Sequence, residues 1–470
     1  MASTCGVVKI RISGVTFLAA VMVASSAWLA FYASGATARE ANKFVEAQVE
    51  KGYFSGAVLV SRNGKVIFQR AYGMADTEAK IPNTLDTRFR IASISKTFTA
   101  ILVMQLEGEH RLALTDPICK YIDECPAGWD AITLHHLLSH TSGIYPYTRP
   151  KPGEAVTEEF LSKPHGRAEV FERMIGEPLA FAPGQRYEYS NSNYWLLSRV
   201  IEKLTGQSYE EALHHRVLDP LGMHDSGLAR DWPNTPHAAV GYWMTREGKI
   251  ARAPLVDGSL ASGEGGIYST VLDLEKFSDA LDGDKLIPRA TLERMRTPVK
   301  DEYGYGWSTP PVSKFTLNRK QVNHSGALPG FLSQFQRFET EKLTLIVLSN
   351  NQRSDPAQVA LALGSAVFKE PFSPTFERGG VEIPESVLQR YVGEYEFEGA
   401  LFTLFVREGN LYAQIKDGGG PQMLLVAESE SVFFIKGTDS DITFAENGKG
   451  EVTGLTASTP NGSRFAKKVR

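Results

Sequence analysis

Ile91-Ala92-Ser93-Ile94-Ser95-Lys96-Thr97-Phe98 is the stretch that decides the fold of this 470-residue chain. It contains the chain's only Ser-x-x-Lys and opens an apolar segment, continuing to Leu106, that is typical of a buried helix. Residues three apart on a helix share one face, with Cβ atoms about 5–6 Å apart. The amine of Lys96 is therefore expected within reach of the Ser93 hydroxyl, as a base beside a nucleophile.

Two further motifs carry polar side chains that would complete a catalytic site with this pair. Tyr189-Ser190-Asn191 follows a Pro- and Gly-containing loop and precedes a helical pattern. His324-Ser325-Gly326 precedes the strand-like stretch Phe331–Phe338. Taken alone, a serine at a helix start is usually an N-cap and a tyrosine is usually a core aromatic. The presence of all three motifs favours catalysis over those structural roles.

In this order the three motifs resemble those of the penicillin-binding protein and class C β-lactamase family of serine hydrolases. That family includes D-aminopeptidases, D-alanyl-D-alanine carboxypeptidases and esterases. The resemblance covers roughly residues 52–368 and implies an α+β fold, in which an antiparallel sheet is flanked by helices and accompanied by an all-helical subdomain. Its framework signatures are Gly56-Ala57-Val58-Leu59-Val60, Leu137-Leu138-Ser139-His140-Thr141-Ser142-Gly143, Pro220-Leu221-Gly222-Met223, Gly265-Gly266 and Tyr303-Gly304-Tyr305-Gly306-Trp307.

The resemblance assigns roles to the first two motifs. Ser93 would be the acylated nucleophile, Lys96 its base, and Tyr189 the group that passes protons between Ser93 and the leaving group. Asn191 would hold the substrate carbonyl and steady Lys96. A tyrosine has an unperturbed pKa of about 10, so neighbouring cations are needed if it is to act as a base. Lys96 and His324 are the expected cations.

The third motif, His324, Ser325 and Gly326 with the following Ala327, is expected to bind substrate. The N–H groups of Ser93 and Ala327 would form the oxyanion hole, and Gly326 would let the strand backbone approach the substrate closely. β-Lactamases of this family carry Lys-Thr-Gly at this place, so His324 replaces a permanent cation by a group with a pKa of about 6.5. Because a fixed cation suits a substrate carboxylate, D-aminopeptidase or esterase chemistry is favoured over β-lactamase or carboxypeptidase chemistry.

Residues 1–38 differ in composition from the rest of the chain. Lys9 and Arg11 precede an uncharged run over 12–33, and Ala36-Thr37-Ala38 follows it. This pattern predicts a secretory signal peptide, although the length of the run also fits an uncleaved inner-membrane anchor. Cleavage is favoured by the Ala-x-Ala triplet, and both alternatives place the following residues in the periplasm or outside the cell.

The remaining chain divides into two predicted domains. Residues 39–370 form a catalytic domain. Near its start, the alternating runs Gly56–Ser61 and Lys65–Ala71, joined by Arg62-Asn63-Gly64, predict a hairpin. Strand-like runs return at Leu343–Leu348, which predicts a sheet built from both ends of the domain, and helical patterns occupy the middle.

Residues 371–384 lack periodicity and predict a linker. Short alternating segments over 385–470, separated by Asn-Gly turns, predict a small all-β barrel. The barrel is expected to cover the cleft, mediate self-association or bind a ligand of its own.

Cysteines and histidines give no metal-site pattern. Cys119 and Cys125 are the only thiols left if Cys5 departs with the signal peptide, and an oxidising compartment would favour a local disulfide between them. The alternative is two unpaired core residues. His136 and His140 stand four residues apart without an HExxH pattern, which favours structural roles. No metal or cofactor is predicted.

Composition limits the other function classes. Lys and Arg number 50 against 54 Asp and Glu, and this net charge of −4 gives no basic surface for nucleic acid. The expected partner is a small-molecule or peptide substrate, and the oligomeric state is left open. The rival hypothesis is a catalytically idle protein that binds peptidoglycan peptides or a protein partner. Such a protein would turn over no amide, ester or β-lactam.

Overall fold

The structure is a computed structural model. It describes residues 39, 42–123, 125–149, 158–245, 249–370, 380–397, 400–407, 409–415, 423–435, 440–459 and 462–470. The predicted signal peptide or anchor and most of the predicted linker lie outside these ranges. Within them, no helix combines the length and the apolar composition needed to cross a bilayer.

The described chain folds into an α+β unit followed by a β-barrel, which confirms the predicted fold class. The strands are β1 Gly56–Arg62, β2 Lys65–Tyr72, β3 Met74–Asp76, β4 Ile81–Pro82, β5 Phe89–Arg90, β6 Gly227–Leu228, β7 Tyr242–Met244, β8 Ile250–Arg252, β9 Ile267–Ser269, β10 Val322–Leu328, β11 Phe331–Phe338, β12 Leu343–Ser349, β13 Gly393–Phe397, β14 Ala400–Arg407, β15 Asn410–Ile415, β16 Met423–Ala427, β17 Val432–Ile435, β18 Asp441–Glu446, β19 Val452–Thr459 and β20 Gly462–Lys468. The helices are α1 over 42–50, α2 Ser95–Gly108, α3 Leu134–Leu138, α4 Glu158–Ser162, α5 Arg167–Ile175, α6 Asn191–Thr205, α7 Tyr209–Leu213, α8 Asp219–Leu221, α9 Val271–Ala280, α10 Arg289–Met295, α11 Pro356–Phe368 and α12 Glu385–Tyr391.

The main sheet is antiparallel and joins both ends of the α+β unit. Its strand order is β10-β11-β12-β1-β2, so the first and last strands of the unit in the chain are neighbours. Asn63 and Gly64 connect β1 to β2 with φ values of 52° and 67°. Positive φ at both positions is what a tight two-residue hairpin turn requires, which explains the Asn-Gly pair. The predicted hairpin is confirmed.

Helices cover both faces of this sheet. Along β1, Ala57 and Leu59 join one buried cluster while Val58 and Val60 join another, because successive strand residues point to opposite faces. Helices α2 and α9 pack on the first face, and α1 and α11 pack on the second. A sheet buried on both sides needs an apolar run rather than an alternating one, which is what β1 supplies.

The helical part of the unit surrounds α2, whose side chains from Ser95 to Met104 are all buried. Cys119 and Cys125 are joined by a disulfide, with Cα atoms 5.1 Å apart. His136 accepts the Thr133 backbone N–H at its Nδ1 atom across 3.1 Å and so helps to cap α3. The contacts of His136 are thus those of a structural residue.

The C-terminal unit is a closed barrel of eight strands, β13 to β20, in which β13 also pairs with β20. Helix α12 precedes it and was not predicted, because its seven residues are too few for a clear helical period. Leu388 and Tyr391 of this helix join the barrel core, where the Tyr391 ring stacks on Phe444 with centroids 3.8 Å apart. Lys314 of the α+β unit forms an ion pair with Asp441 of the barrel across 2.7 Å.

Candidate active site

Ser93 lies in a short 3₁₀ turn, Ala92–Ile94, between β5 and α2. The backbone of Ala92 has φ 49°, a left-handed conformation that is uncommon for a residue other than glycine. Ile91, just before the turn, accepts a hydrogen bond at its carbonyl from the Ser333 hydroxyl of β11 across 2.9 Å. The sheet thereby holds the turn that presents the half-buried Ser93 at the start of α2.

Lys96 lies one turn further along and is fully buried. Its Nζ atom is 3.2 Å from the hydroxyl oxygen of Ser93, 2.7 Å from the side-chain carbonyl of Asn191 and 2.7 Å from the backbone carbonyl of Glu264. Carbonyl oxygens only accept hydrogen bonds. The two carbonyls therefore fix two N–H bonds of the amine, and in the neutral amine the remaining lone pair faces Ser93.

Burial lowers the pKa of Lys96 to about 7, and the carboxyl group of Glu264 opposes this shift. Near neutral pH a substantial fraction of Lys96 is therefore unprotonated and able to accept a proton. Burial likewise raises the pKa of Glu264, whose Oε1 atom accepts hydrogen bonds from Tyr147 and from the Ser262 backbone. The two buried groups are thus both shifted toward their neutral forms.

Glu264 is the site residue that the sequence reasoning missed. It is 2% exposed, and it supplies both a carbonyl ligand and a nearby charge to Lys96. One sequence feature could have identified it, since the three glycines Gly263, Gly265 and Gly266 surround a single carboxylate. A carboxylate in such a compact segment indicates a role other than solvation.

Tyr189 and Asn191 reach the site from the start of α6. Lys96 Nζ lies 4.7 Å from the centre of the Tyr189 ring, and the Tyr189 hydroxyl is near enough to Ser93 for the serine hydroxyl to affect its pKa. Burial raises the pKa of Tyr189 above its ordinary value, although the nearby Ser93 hydroxyl opposes the shift. The expectation of a cation-lowered phenol is therefore wrong, and Tyr189 keeps its proton near neutral pH.

His324 is brought to the same site by β10, but as a neutral group. Burial and the nearby Lys96 lower the pKa of His324 to about 3. Its Nδ1 atom lies 2.7 Å from the Ser325 carbonyl and must carry the proton, so Nε2 accepts from the Tyr303 hydroxyl across 2.9 Å. The expectation that His324 is a cation beside Tyr189 is wrong. Burial disfavours the charged imidazole, and in the neutral ring both nitrogens already have hydrogen-bond partners.

The rest of the third motif continues along β10. Ser325 is half-buried and Ala327 is exposed, and they pair with Gln334 and Leu332 of β11. A Cβ on Gly326 would lie 2.2 Å from the Ile91 carbonyl oxygen. The absence of a side chain at Gly326 is thus required by the segment leading to Ser93, a different reason from the predicted approach of substrate.

His140 is a buried residue that packs against Tyr189 and holds its chain segment. Its Nδ1 atom accepts the Ser190 backbone N–H across 3.2 Å, next to Tyr189 in the chain. Its ring centre is 4.3 Å from that of Tyr189 and 4.8 Å from that of Tyr303. Burial and the charge of Lys96 lower the pKa of His140 well below its ordinary value. His140 therefore positions Tyr189, consistent with the structural role that the sequence favours.

The C-terminal barrel contacts the aromatic side chains that surround Tyr189. Arg464 of β20 places its guanidinium 5.4 Å from the ring centre of Tyr187, and the Tyr187 ring lies 5.8 Å from that of Tyr303. Arg464 also approaches the Glu302 carboxylate at 3.9 Å. The last strand of the barrel thus touches residues that surround Tyr189.

The fold and the site together define a serine hydrolase of the β-lactamase and penicillin-binding type. Residues 41–367 match the family described as Beta-lactamase. The chain therefore belongs to that family, which confirms the resemblance read from its motifs.

Three relatives show how far the likeness extends. The chain is 27% identical over 425 residues to penicillin-binding protein 4* of Bacillus subtilis, covering 84% of this chain and 91% of the relative. A D-stereospecific amidohydrolase from Streptomyces is 27% identical, with a TM-score of 0.60 over 70% of this chain and 97% of that one. An octameric penicillin-binding protein homologue from Pyrococcus abyssi is 24% identical, with a TM-score of 0.64 over 91% and 99%. The last likeness concerns the fold alone.

Proposed function

We propose that the chain is an exported serine hydrolase that forms an acyl-enzyme at Ser93 with amide or ester substrates. D-amino-acid peptides and esters are the preferred classes, ahead of β-lactams. Export is supported by the basic and apolar N-terminal pattern and by the pairing of Cys119 with Cys125, which an oxidising compartment would preserve.

The geometry of Lys96 carries this proposal. Its amine is held by two carbonyl acceptors, lies 3.2 Å from the Ser93 hydroxyl and has a pKa of about 7. A general base works best when its pKa lies near the working pH. Lys96 meets both requirements, since it is within hydrogen-bond reach of the proton and unprotonated in a useful fraction.

The proposed reaction proceeds in balanced proton transfers. Lys96 takes the Ser93 proton as the serine oxygen bonds to the substrate carbonyl carbon, and the N–H groups of Ser93 and Ala327 receive the negative oxygen. The carbon–nitrogen or carbon–oxygen bond then breaks, the leaving group takes the Tyr189 proton, and Lys96 returns its proton to Tyr189. Water repeats the sequence to release the acid and restore Ser93.

The neutral state of His324 supports the substrate preference. No fixed cation occupies the first position of the third motif, where β-lactamases of this family carry lysine. A substrate without a free carboxylate near position 324 is unaffected when histidine replaces lysine there. A penicillin or a peptide ending in D-Ala, in contrast, loses an ion pair. The likeness to a protein named a D-stereospecific amidohydrolase points in the same direction.

Covalent labelling tests the nucleophile. The full chain is treated with a fluorophosphonate probe and with a penicillin probe, and labelling should vanish in Ser93→Ala. Ser95→Ala is the matched control, because the Ser95 hydroxyl accepts the Ile267 backbone N–H and serves the fold. Labelling that persists in Ser93→Ala would contradict the proposal.

Steady-state rates test the substrate class. Four compounds separate the alternatives: nitrocefin, a short-chain p-nitrophenyl ester, D-Ala-p-nitroanilide and a D-Ala-D-Ala peptide. The ester and the anilide are expected to be hydrolysed fastest. A rate on nitrocefin far above the others would overturn the preference, and no turnover of any of the four would favour the idle binding protein.

A further inference from the structure

The turn that leads into Tyr303 has an unusual backbone. Asp301 and Glu302 have φ values of 45° and 62°, and the Tyr303 N–H donates to the Lys300 carbonyl across 3.0 Å. Positive φ at both central residues defines a type I′ turn, which glycine, asparagine and aspartate usually form. A glutamate in this conformation carries a steric cost. Glu302 is therefore expected to make a contact that offsets this cost.

That contact is with the barrel. The Glu302 carboxylate lies 3.9 Å from the guanidinium of Arg464 on β20, and its Oε2 atom is buried. A Cβ on Gly462, the first residue of the same strand, would lie 2.3 Å from that oxygen. Burial raises the pKa of Glu302, and Arg464 and the Ser463 backbone N–H oppose the shift. Three consecutive residues of β20 thus lie around this carboxylate.

Tyr303, the next residue in the turn, belongs to the active site. Its side chain is buried, and its hydroxyl donates to His324 Nε2 across 2.9 Å. Its ring centre lies 4.8 Å from that of His140 and 6.4 Å from that of Tyr189. Because Glu302 and Tyr303 are adjacent, a shift of the Glu302 side chain moves the backbone from which Tyr303 projects. The direction of the Tyr303 hydroxyl thus depends on the turn that Glu302 holds.

Arg464 also contacts a second segment of the site. Its guanidinium lies 5.4 Å from the ring centre of Tyr187, within the range of a cation–π contact. Tyr187 stands two residues before Tyr189, and its ring centre is 5.8 Å from that of Tyr303. One guanidinium therefore lies against the segment that carries Tyr189 and against the turn that carries Tyr303.

We propose that Arg464 is a positioning residue of the active site, which holds the Glu302 turn and, through it, the Tyr303 hydroxyl that orients His324. The assignment rests on the proposed hydrolysis at Ser93, because the side chains that it concerns belong to that site. The barrel then contributes to the reaction without touching the substrate.

A double-mutant cycle on the full chain tests the route through Tyr303. Arg464→Met should lower kcat/KM for a p-nitrophenyl ester by roughly fivefold or more, but by less than about twofold in a Tyr303→Phe background. Tyr303→Phe keeps the ring and removes the hydroxyl that donates to His324. Equal factors in the two backgrounds would show that Arg464 acts by another route and would overturn the proposal.

Lys314→Met is the matched control. It removes another ion pair between the barrel and the α+β unit, in which Lys314 lies 2.7 Å from the Asp441 carboxylate. Lys314 lies over the Phe315 ring rather than over an aromatic residue of the site. This variant should keep kcat/KM within about twofold of the wild type. A loss as large as that in Arg464→Met would reduce both residues to docking of the barrel and contradict the assignment.

Nitrogen-15 NMR of the histidine side chains tests the same assignment without turnover. The Nε2 signal of His324, identified by its loss in His324→Gln, should shift in Arg464→Met and stay in place in Lys314→Met. An unshifted signal in Arg464→Met would contradict the assignment whatever the activity of the chain. A wild-type chain that hydrolyses no test compound would instead count against the proposed function alone.

Discussion

Lys96 Nζ donates to the backbone carbonyl of Glu264 across 2.7 Å, while the side chain of the same Glu264 acts on the charge of Lys96. One residue thus fixes the direction of the amine and sets how readily it loses its proton. The backbone contact orients the lone pair toward Ser93, and the carboxyl group opposes the burial that lowers the pKa of Lys96. These two effects can be separated by experiment.

The first prediction concerns the pH dependence of hydrolysis. Because Lys96 must be unprotonated to accept the Ser93 proton, kcat/KM should rise with pH through a midpoint of about 7. Rates on a p-nitrophenyl ester from pH 4 to 9, with separate correction for spontaneous hydrolysis, give the profile. Lys96→Met should lower the rate by roughly 10²–10⁴-fold. A profile that is flat between pH 5 and 9 would contradict the assignment of the base.

The second prediction separates the two effects of Glu264. Glu264→Gln keeps the backbone carbonyl and an acceptor for Tyr147 but removes the negative charge that raises the pKa of Lys96. The rising limb of the pH profile should therefore move to lower pH. Glu275→Gln, another buried carboxyl but on α9, is the control and should leave the limb in place. An unchanged limb in Glu264→Gln would show that this carboxyl does not act on Lys96.

The third prediction concerns the choice of substrate. His324→Lys would introduce a cation where β-lactamases of the family have one. The ratio of kcat/KM for a D-Ala-D-Ala peptide to that for its C-terminal amide should rise by roughly tenfold or more, as expected for one charged hydrogen bond. His324→Gln is the neutral control and should leave the ratio near that of the wild type. If the two variants give the same ratio, position 324 does not select the carboxylate.

The fourth prediction concerns the packing of Gly326. Gly326→Ala places a Cβ 2.2 Å from the Ile91 carbonyl oxygen, so the segment carrying Ser93 must shift. We expect a loss of about 1–3 kcal/mol in the free energy of unfolding, which is typical of overpacking. Activity should fall more than tenfold, because the nucleophile is displaced. Gly283→Ala, where an added Cβ meets nothing within 4 Å, should change neither the urea midpoint nor the rate.

Local sequence patterns were enough to predict the β1–β2 hairpin, the strands at both ends of the α+β unit and the barrel. The Asn63-Gly64 turn and the strand Phe331–Phe338 occur where the alternation and the turn residues place them. Ser93, Lys96 and Tyr189 were also accessible, since their motifs have a recognisable order. The structure brings these three side chains together.

The electrostatic state of the site could not be predicted in the same way. The charge of His324 depends on burial and on its contacts with Tyr303 and the Ser325 carbonyl, which chain order does not reveal. Glu264 acts on Lys96 through a contact between residues far apart in the sequence. A pattern identifies which groups are present, whereas their protonation follows from what the fold packs around them.

Strand β1 pairs with β12 along its whole length, with Gly56 opposite Ser349. A ribosome therefore makes Ser93, Lys96 and Tyr189 well before it makes the strand that completes the sheet around them. Pairings between such distant segments are slow to form, since a long loop has to close first. The main sheet cannot close until β12 has been made, so the nucleophile and its base exist in the chain before the scaffold that holds them in place.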